Sequence, residues 1–193
     1  MLSIVTSPTK LIVALGWAGF LLYWVFSVAG KNTRDRIPNL LRTIALLSAV
    51  AALFLLVSVG SIPDDLNPAL WHSNLPIGLC ADAVVIMSLI ILIWSRRTLG
   101  LNWSANVRTD RATELVQSGP YAYVRHPIYT GVIGIVLGTI IAYGRLVGVL
   151  IWAVCVVGLY LKSTKEDSVM SGKFKGEYRD YKSKTKALFP FIL

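Results

Sequence analysis

Long apolar runs broken by short polar stretches set the pattern of this chain. Residues 11–29, LIVALGWAGFLLYWVFSVA, carry no charge at all. Residues 43–62 and 75–94 repeat the pattern, with Asp82 the only charged side chain in either. Each run has about the 20 residues that a helix needs to cross the hydrocarbon core of a bilayer. Two further runs, 128–143 and 146–161, are shorter, and only Gly144-Arg145 separates them. At about 1.5 Å rise per residue such segments barely span, so they predict a tight helical hairpin. No alternating strand pattern competes with these runs. The expected fold is an all-α integral membrane protein with five transmembrane helices, the last two forming that short hairpin. Residues 1–193 are expected to form a single membrane domain: a three-span core over 1–94 and a second half over 95–193 that carries the long polar segments.

Glycines punctuate the hairpin. Gly131, Gly134 and Gly138 recur along one side of its first arm, and Gly144 and Gly148 bracket its turn. Small residues at this spacing let helices approach closely in lipid. They are also common in membrane helices generally. A lateral gap along this face, admitting an apolar tail from the bilayer, is a second expectation. Asp82 is an ionisable group within a span and so a functional candidate, with water access or a polar helix contact as the alternative.

Charge then orients the spans. Lys31, Arg34, Arg36 and Arg42 lie between the first two, and Arg96, Arg97, Arg108, Arg111 and Arg125 follow the third. The stretch from Lys162 onward is rich in lysine. Five spans place every basic residue except Lys10 and Arg145 on one side, which the positive-inside rule makes cytoplasmic. The N-terminus is then outside, the C-terminus cytoplasmic, and Arg145 snorkels from the hairpin tip. Asp64, Asp65 and His72 fall outside. The net charge of +9 over 193 residues therefore reports topology and contact with anionic lipid, not nucleic-acid binding. The remaining composition agrees: 55% hydrophobic, 15% charged, and a mean hydropathy of +0.64. The two cysteines, Cys80 and Cys155, sit in apolar runs and offer neither a disulfide framework nor metal spacing. No metal is expected.

Residues 95–125 and 162–193 then face the same compartment and bracket the hairpin. Between them lies GPYAYVRHPIYTG, residues 119–131. Gly119-Pro120 marks a turn, and Pro127 suits the first position of a helix, where its missing N–H costs nothing. Arg125 and His126 then sit at a helix N-terminus, whose free N–H groups and dipole favour an anion. Tyr121, Tyr123 and Tyr129 add aromatic faces. The alternative is an interfacial belt, with Arg125 reaching lipid phosphates.

This motif resembles the Gly-x-Tyr-x-x-x-Arg-His-Pro-x-Tyr-x-Gly signature of the isoprenylcysteine carboxyl methyltransferase family, within the wider phospholipid methyltransferase group. The family's downstream acidic pair is matched by Glu166-Asp167, its Glu-Tyr-x-x-Tyr by residues 177–181, and its late proline by Pro190. The resemblance covers about residues 100–193. It implies an S-adenosyl-L-methionine-dependent methyltransferase that esterifies the carboxylate of a prenylated C-terminal cysteine or a similar lipophilic substrate. It implies further that Tyr121, His126, Pro127, Ile128 and Tyr129 touch the cofactor, together with Thr113, Glu114, Leu115 and Val116, Asn106 more loosely, and Glu166. The cofactor pocket would be cytoplasmic, formed by residues 95–127 and the C-terminal segment. Where the family carries an arginine four residues before the glutamate, this chain has Lys162, the expected substrate-binding cation. Arg125 and His126 are the expected catalytic residues.

The chemistry has its own logic. A carboxylate nucleophile is ionised at neutral pH and needs only a cation to orient it. An amine needs a base. The alternatives are a phospholipid N-methyltransferase, a sterol-reductase-like relative, and a non-enzymatic small membrane protein.

Overall fold

In a computed structural model, residues 8–29, 62–102 and 114–190 are described. Among them the structure is helical, without a strand: α1 (Pro8–Ala29), α2 (Leu75–Leu99), α3 (Pro127–Tyr143) and α4 (Leu146–Lys184). The run at 43–62 lies outside the described residues except for its last position. Helices α1, α2 and α4 are long and apolar enough to cross a membrane. Helix α3, at 17 residues, is the short one that the sequence predicts. Large apolar side chains such as Leu22, Phe26, Ile90 and Val154 point outward and are exposed. These are the proportions of a multi-pass membrane protein, whose outward faces meet lipid.

Local signals explain the helix ends. Asn74 caps α2, its side-chain oxygen accepting the Ile77 N–H at 3.0 Å. Arg96 and Arg97 close the same helix at the negative end of its dipole. Pro127 opens α3, and Gly144, with φ of 63°, stops it. The second hairpin arm differs from expectation. Its apolar part does end near Leu161, but the helix continues to Lys184, with one break at Lys175 (φ 46°, ψ −116°). Loss of apolar character ends a span, whereas nothing between Lys162 and Phe174 ends a helix.

The chain forms two compact units, Met1–Ile86 with Ile135–Trp152, and Met87–Gly134 with Ala153–Leu193. In the first, Trp17 Nε1 donates to Thr139 Oγ1 at 2.9 Å, joining α1 to α3. The loop before α2 docks on the α3–α4 turn. Leu70 N–H donates to the Gly144 carbonyl at 2.7 Å, and Asn67 Oδ1 accepts the Val147 N–H at 3.0 Å, serving α4 as a cap from a distant segment. Arg145 pairs with Asp64 and donates to the Asn67 carbonyl. This arginine is therefore held by the loop and does not snorkel freely. Loop and turn share one end of the unit. Asp82 is buried, and neither carboxylate oxygen has a partner among the described residues.

The glycine face is occupied. A Cβ at Gly138 would lie 2.6 Å from Val85 Cγ2 and 3.0 Å from the Ala81 carbonyl oxygen in the first unit. In the second, one at Gly131 would meet Leu92 and the Ser88 carbonyl, and one at Gly134 would collide with Ser88 Oγ. The absent side chains let α2 and α3 touch backbone to backbone. That contact fills the face read above as a lateral gap for a lipid tail, and the gap is not there.

Candidate active site

The second unit brings the two distant motifs together. The segment preceding α3 runs parallel to the chain after α4: Arg125 N–H donates to the Lys186 carbonyl at 2.9 Å, and His126 N–H to that of Ala187 at 3.0 Å. Thr130 Oγ1 adds a 2.5 Å bond to the Leu188 carbonyl. These bonds satisfy donors at the mouth of α3 and fix the register of the Arg-His-Pro motif. Tyr181 O–H donates to the Tyr121 carbonyl at 2.6 Å and locks the preceding 3-10 turn, Gly119–Ala122, in place.

The acidic pair on α4 closes over this mouth. Asp167, 4% exposed, is the hub. It accepts from His126 Nε2 at 2.8 Å, from Tyr178 O–H at 2.5 Å, and from Arg125 Nε at 3.1 Å, with Arg125 Nη2 at 3.0 Å. Lys182 Nζ lies 3.7 Å away. Arg125 also donates to the Thr185 carbonyl. Glu166 takes the other side of the imidazole: Oε2 is 3.3 Å from His126 Nδ1, and Oε1 accepts the Tyr129 O–H at 2.6 Å. The His126 and Tyr129 rings stack, 5° from parallel with centroids 5.4 Å apart. Lys162 Nζ sits over the Tyr129 ring, 5.1 Å from its centroid.

Protonation follows from this geometry. A neutral imidazole has one N–H and one lone pair, so with a carboxylate on each nitrogen one contact would set lone pair against lone pair. Only the imidazolium satisfies both. Burial alone would lower the His126 pKa from its ordinary 6.5, but the hydrogen bonds to Asp167 and Glu166 outweigh it and move the group upward. Burial would likewise raise Glu166 from 4.5; the bonds from His126 and Tyr129, and the Lys162 charge, hold it lower instead. Asp167 is driven well below the usual carboxylate range, against its own burial, by His126, Tyr178 and Arg125. The cluster gathers four basic side chains, Arg125, His126, Lys162 and Lys182, around two carboxylates.

The site residues expected from sequence divide into groups. Arg125, His126, Tyr129, Lys162 and Glu166 meet in one cluster, with Pro127 and Ile128 buried beneath it. Tyr121 is buried behind it, tied to Tyr181. Glu114, Leu115 and Val116 make no hydrogen bond or ion pair with the cluster, although Gln117 next to them reaches Glu177 at 3.3 Å. Asn106 and Thr113 lie outside the described residues. Sequence reasoning assigned no role to Asp167, Tyr178 or Tyr181. The pairing of Glu166-Asp167 with the Tyr178-x-x-Tyr181 spacing was the available signal. Among the described residues, no group of three or more His, Cys, Asp or Glu side chains is placed to hold a metal.

The α3 mouth also differs from the sequence expectation in its occupant. An anion site was predicted there, and the anions that fill it are the chain's own Glu166 and Asp167. What remains accessible is a partly exposed carboxylate, Glu166 at 22%, beside an aromatic face that already carries one cation. A carboxylate next to a π face is the kind of surface that suits a cationic group such as a sulfonium.

Comparison with known proteins agrees on the region. Residues 80–171 match the Isoprenylcysteine carboxyl methyltransferase (ICMT) family. Over 98 residues the chain is 32% identical to Protein-S-isoprenylcysteine O-methyltransferase of Mus musculus and, equally, of Rattus norvegicus. That stretch is 49% of this chain but 35% of the mouse and 34% of the rat protein, so the match covers about a third of those relatives' length. The family that the Arg-His-Pro and Glu-Tyr motifs resemble is the family that residues 80–171 match.

Proposed function

We propose that this chain is a membrane methyltransferase that uses S-adenosylmethionine to esterify the carboxylate of a prenylated cysteine or a similarly lipophilic acid. Five spans would place the Arg125–Glu166 cluster at the cytoplasmic surface, where a soluble donor and a lipid-borne acceptor both arrive. The observation that carries the reading is His126 held between Glu166 and Asp167, with Lys162 over the neighbouring Tyr129 ring. S-adenosylmethionine, when bound, supplies an electrophilic methyl on a sulfonium. The protein's part is to hold, orient and exclude water. Glu166 and the Tyr129 ring would hold the donor's cationic end. His126 keeps Glu166 ionised and in position, and Asp167 and Arg125 keep His126 there. Lys162 offers its ammonium to the acceptor carboxylate, a point charge where a guanidinium would give a fork.

The same observation argues against the N-methyltransferase alternative. An amine acceptor must lose a proton, and His126, with a carboxylate facing each ring nitrogen and its pKa raised, is poorly placed to take one.

The test is purified protein in detergent with isotope-labelled S-adenosylmethionine and a small N-acylated S-farnesyl cysteine. Base-labile methyl ester should form. Lys162→Gln should raise KM for the acceptor about tenfold with donor Kd within twofold of wild type, an ammonium–carboxylate contact being worth roughly 1.5 kcal/mol. Lys162→Arg should restore it. Donor binding with no ester formed would reject the acceptor class. No donor binding at all would favour a non-enzymatic membrane protein.

A further inference from the structure

Lys162 through Lys184 carry more positive charge than the cluster uses. Three of these cations line one open cleft of about 420 Å³, bounded by Ser171, Lys175, Arg179 and Lys182. We infer that this cleft is a binding site for a phosphate group, and that the phosphate it takes is an anionic phospholipid headgroup.

Backbone geometry makes the cleft. On an unbroken helix Ser171, Lys175, Arg179 and Lys182 would follow one another along a convex stripe. The break at Lys175 folds that stripe into a concavity. A lysine at φ 46° is strained where a glycine would not be. The strained position thus carries a cation, at the one place in α4 where the backbone turns.

Electrostatics define the occupant. Among the described residues, neither Lys175 nor Arg179 makes a hydrogen bond or ion pair, and both are exposed. Lys182 reaches only the distant edge of Asp167, at 3.7 Å. Three like charges around one concavity repel one another until an anion enters. A guanidinium and two ammonium groups are charged donors, and together they suit the several acceptor oxygens of a phosphate. Ser171 lies about three helical turns beyond Leu161, where the apolar run of α4 ends, near the level of lipid headgroups. A headgroup there would anchor α4 just below the acidic pair, since Ser171 Oγ donates to the Asp167 carbonyl at 2.7 Å.

Native mass spectrometry of the full-length protein, released from micelles doped with phosphatidylglycerol and phosphatidylcholine, tests this without any methyl-transfer readout. Its failure is therefore separable from failure of the proposed activity. The wild type should retain phosphatidylglycerol in preference to phosphatidylcholine. Lys175→Gly with Arg179→Gln should lose that preference by about fivefold per cation removed. This variant relieves the backbone strain, so its thermal unfolding midpoint should not fall. Lys175→Arg with Arg179→Lys should keep the preference. Equal retention of the two lipids by wild type, or an unchanged preference in the Gly/Gln variant, would overturn the site. Displacement of phosphatidylglycerol by millimolar inorganic phosphate would overturn the headgroup assignment; failure to displace it supports that assignment.

Discussion

Replacing Asp167 with asparagine probes the hub of the site most directly. The substitution keeps the shape and removes the charge. Arg125, His126 and Tyr178 then face a neutral amide, one end of which is a donor and repels them. Asp167 and Arg125 side chains are 5% and 8% exposed, so solvent compensates little. Removing one partner of a buried ion pair costs about 3–5 kcal/mol. Arg125 keeps its bonds to the Thr185 and Lys182 carbonyls, and Lys182 is half exposed, so the low end applies, about 3 kcal/mol. The histidine supplies a second readout. Asp167 is the strongest of the groups that raise the His126 pKa, while burial lowers it. In Asp167→Asn burial gains the upper hand, so the His126 pKa must fall. Unfolding by increasing sodium dodecyl sulfate fraction, followed by tryptophan fluorescence, reports the stability. Imidazole NMR in a His72→Gln background, which leaves a single histidine, reports the titration. A variant within 0.5 kcal/mol of wild type, with an unmoved His126 titration, would refute the network as drawn.

Other consequences are checked with similar means. The His126 pKa is raised, so its contribution is full below 6.5 and is lost as pH climbs through the folded value; Glu166 and Asp167 are lowered, so theirs is full above 4.5 and 3.8 and is lost as pH falls through their folded values. Stability should therefore plateau between about pH 4.5 and 6.5, and His126→Gln should flatten the alkaline limb of a pH–unfolding profile. Gly134→Leu must push α3 off Ser88, which should cost about 3 kcal/mol or more in the same detergent titration, whereas Gly134→Ala with Ser88→Gly should recover most of it. Asn67→Ala removes the acceptor for the Val147 N–H and should cost about 1 kcal/mol; a larger loss in Val147→Ala than in Asn67→Ala would contradict the cap.

Some of this architecture is legible in residue order and some is not, for physical reasons. Apolar runs and their breaks place α1, α2 and α3 within a few residues, because the bilayer fixes helix length and Asn74, Pro127 and Gly144 fix the ends. The extent of α4 is not legible, because polarity reports where a span leaves lipid and says nothing of where hydrogen bonding stops. The spacing of Gly131, Gly134 and Gly138 shows that something approaches closely, and leaves open whether it is a lipid tail or the backbone of α2. Glycine records a missing side chain, and only the fold supplies the neighbour.

At the site, a helix opened by proline behind arginine and histidine is readable as a demand for negative charge. What meets the demand is not readable, because Asp167 lies 41 residues from His126 along the chain and their contact depends on the turn at Gly144 and the length of α4. That answer changes the chemistry. A helix mouth with no carboxylates of its own would leave burial to lower the His126 pKa, and the ring free to act as a base on an amine. Two carboxylates at its ring nitrogens raise the pKa instead and bias the ring toward the cation. A histidine so held is better suited to keeping its neighbours in position than to taking a proton. The adjacent Glu166 and Asp167 place one carboxylate on each side of the imidazole, a pairing that the helix mouth alone does not reveal.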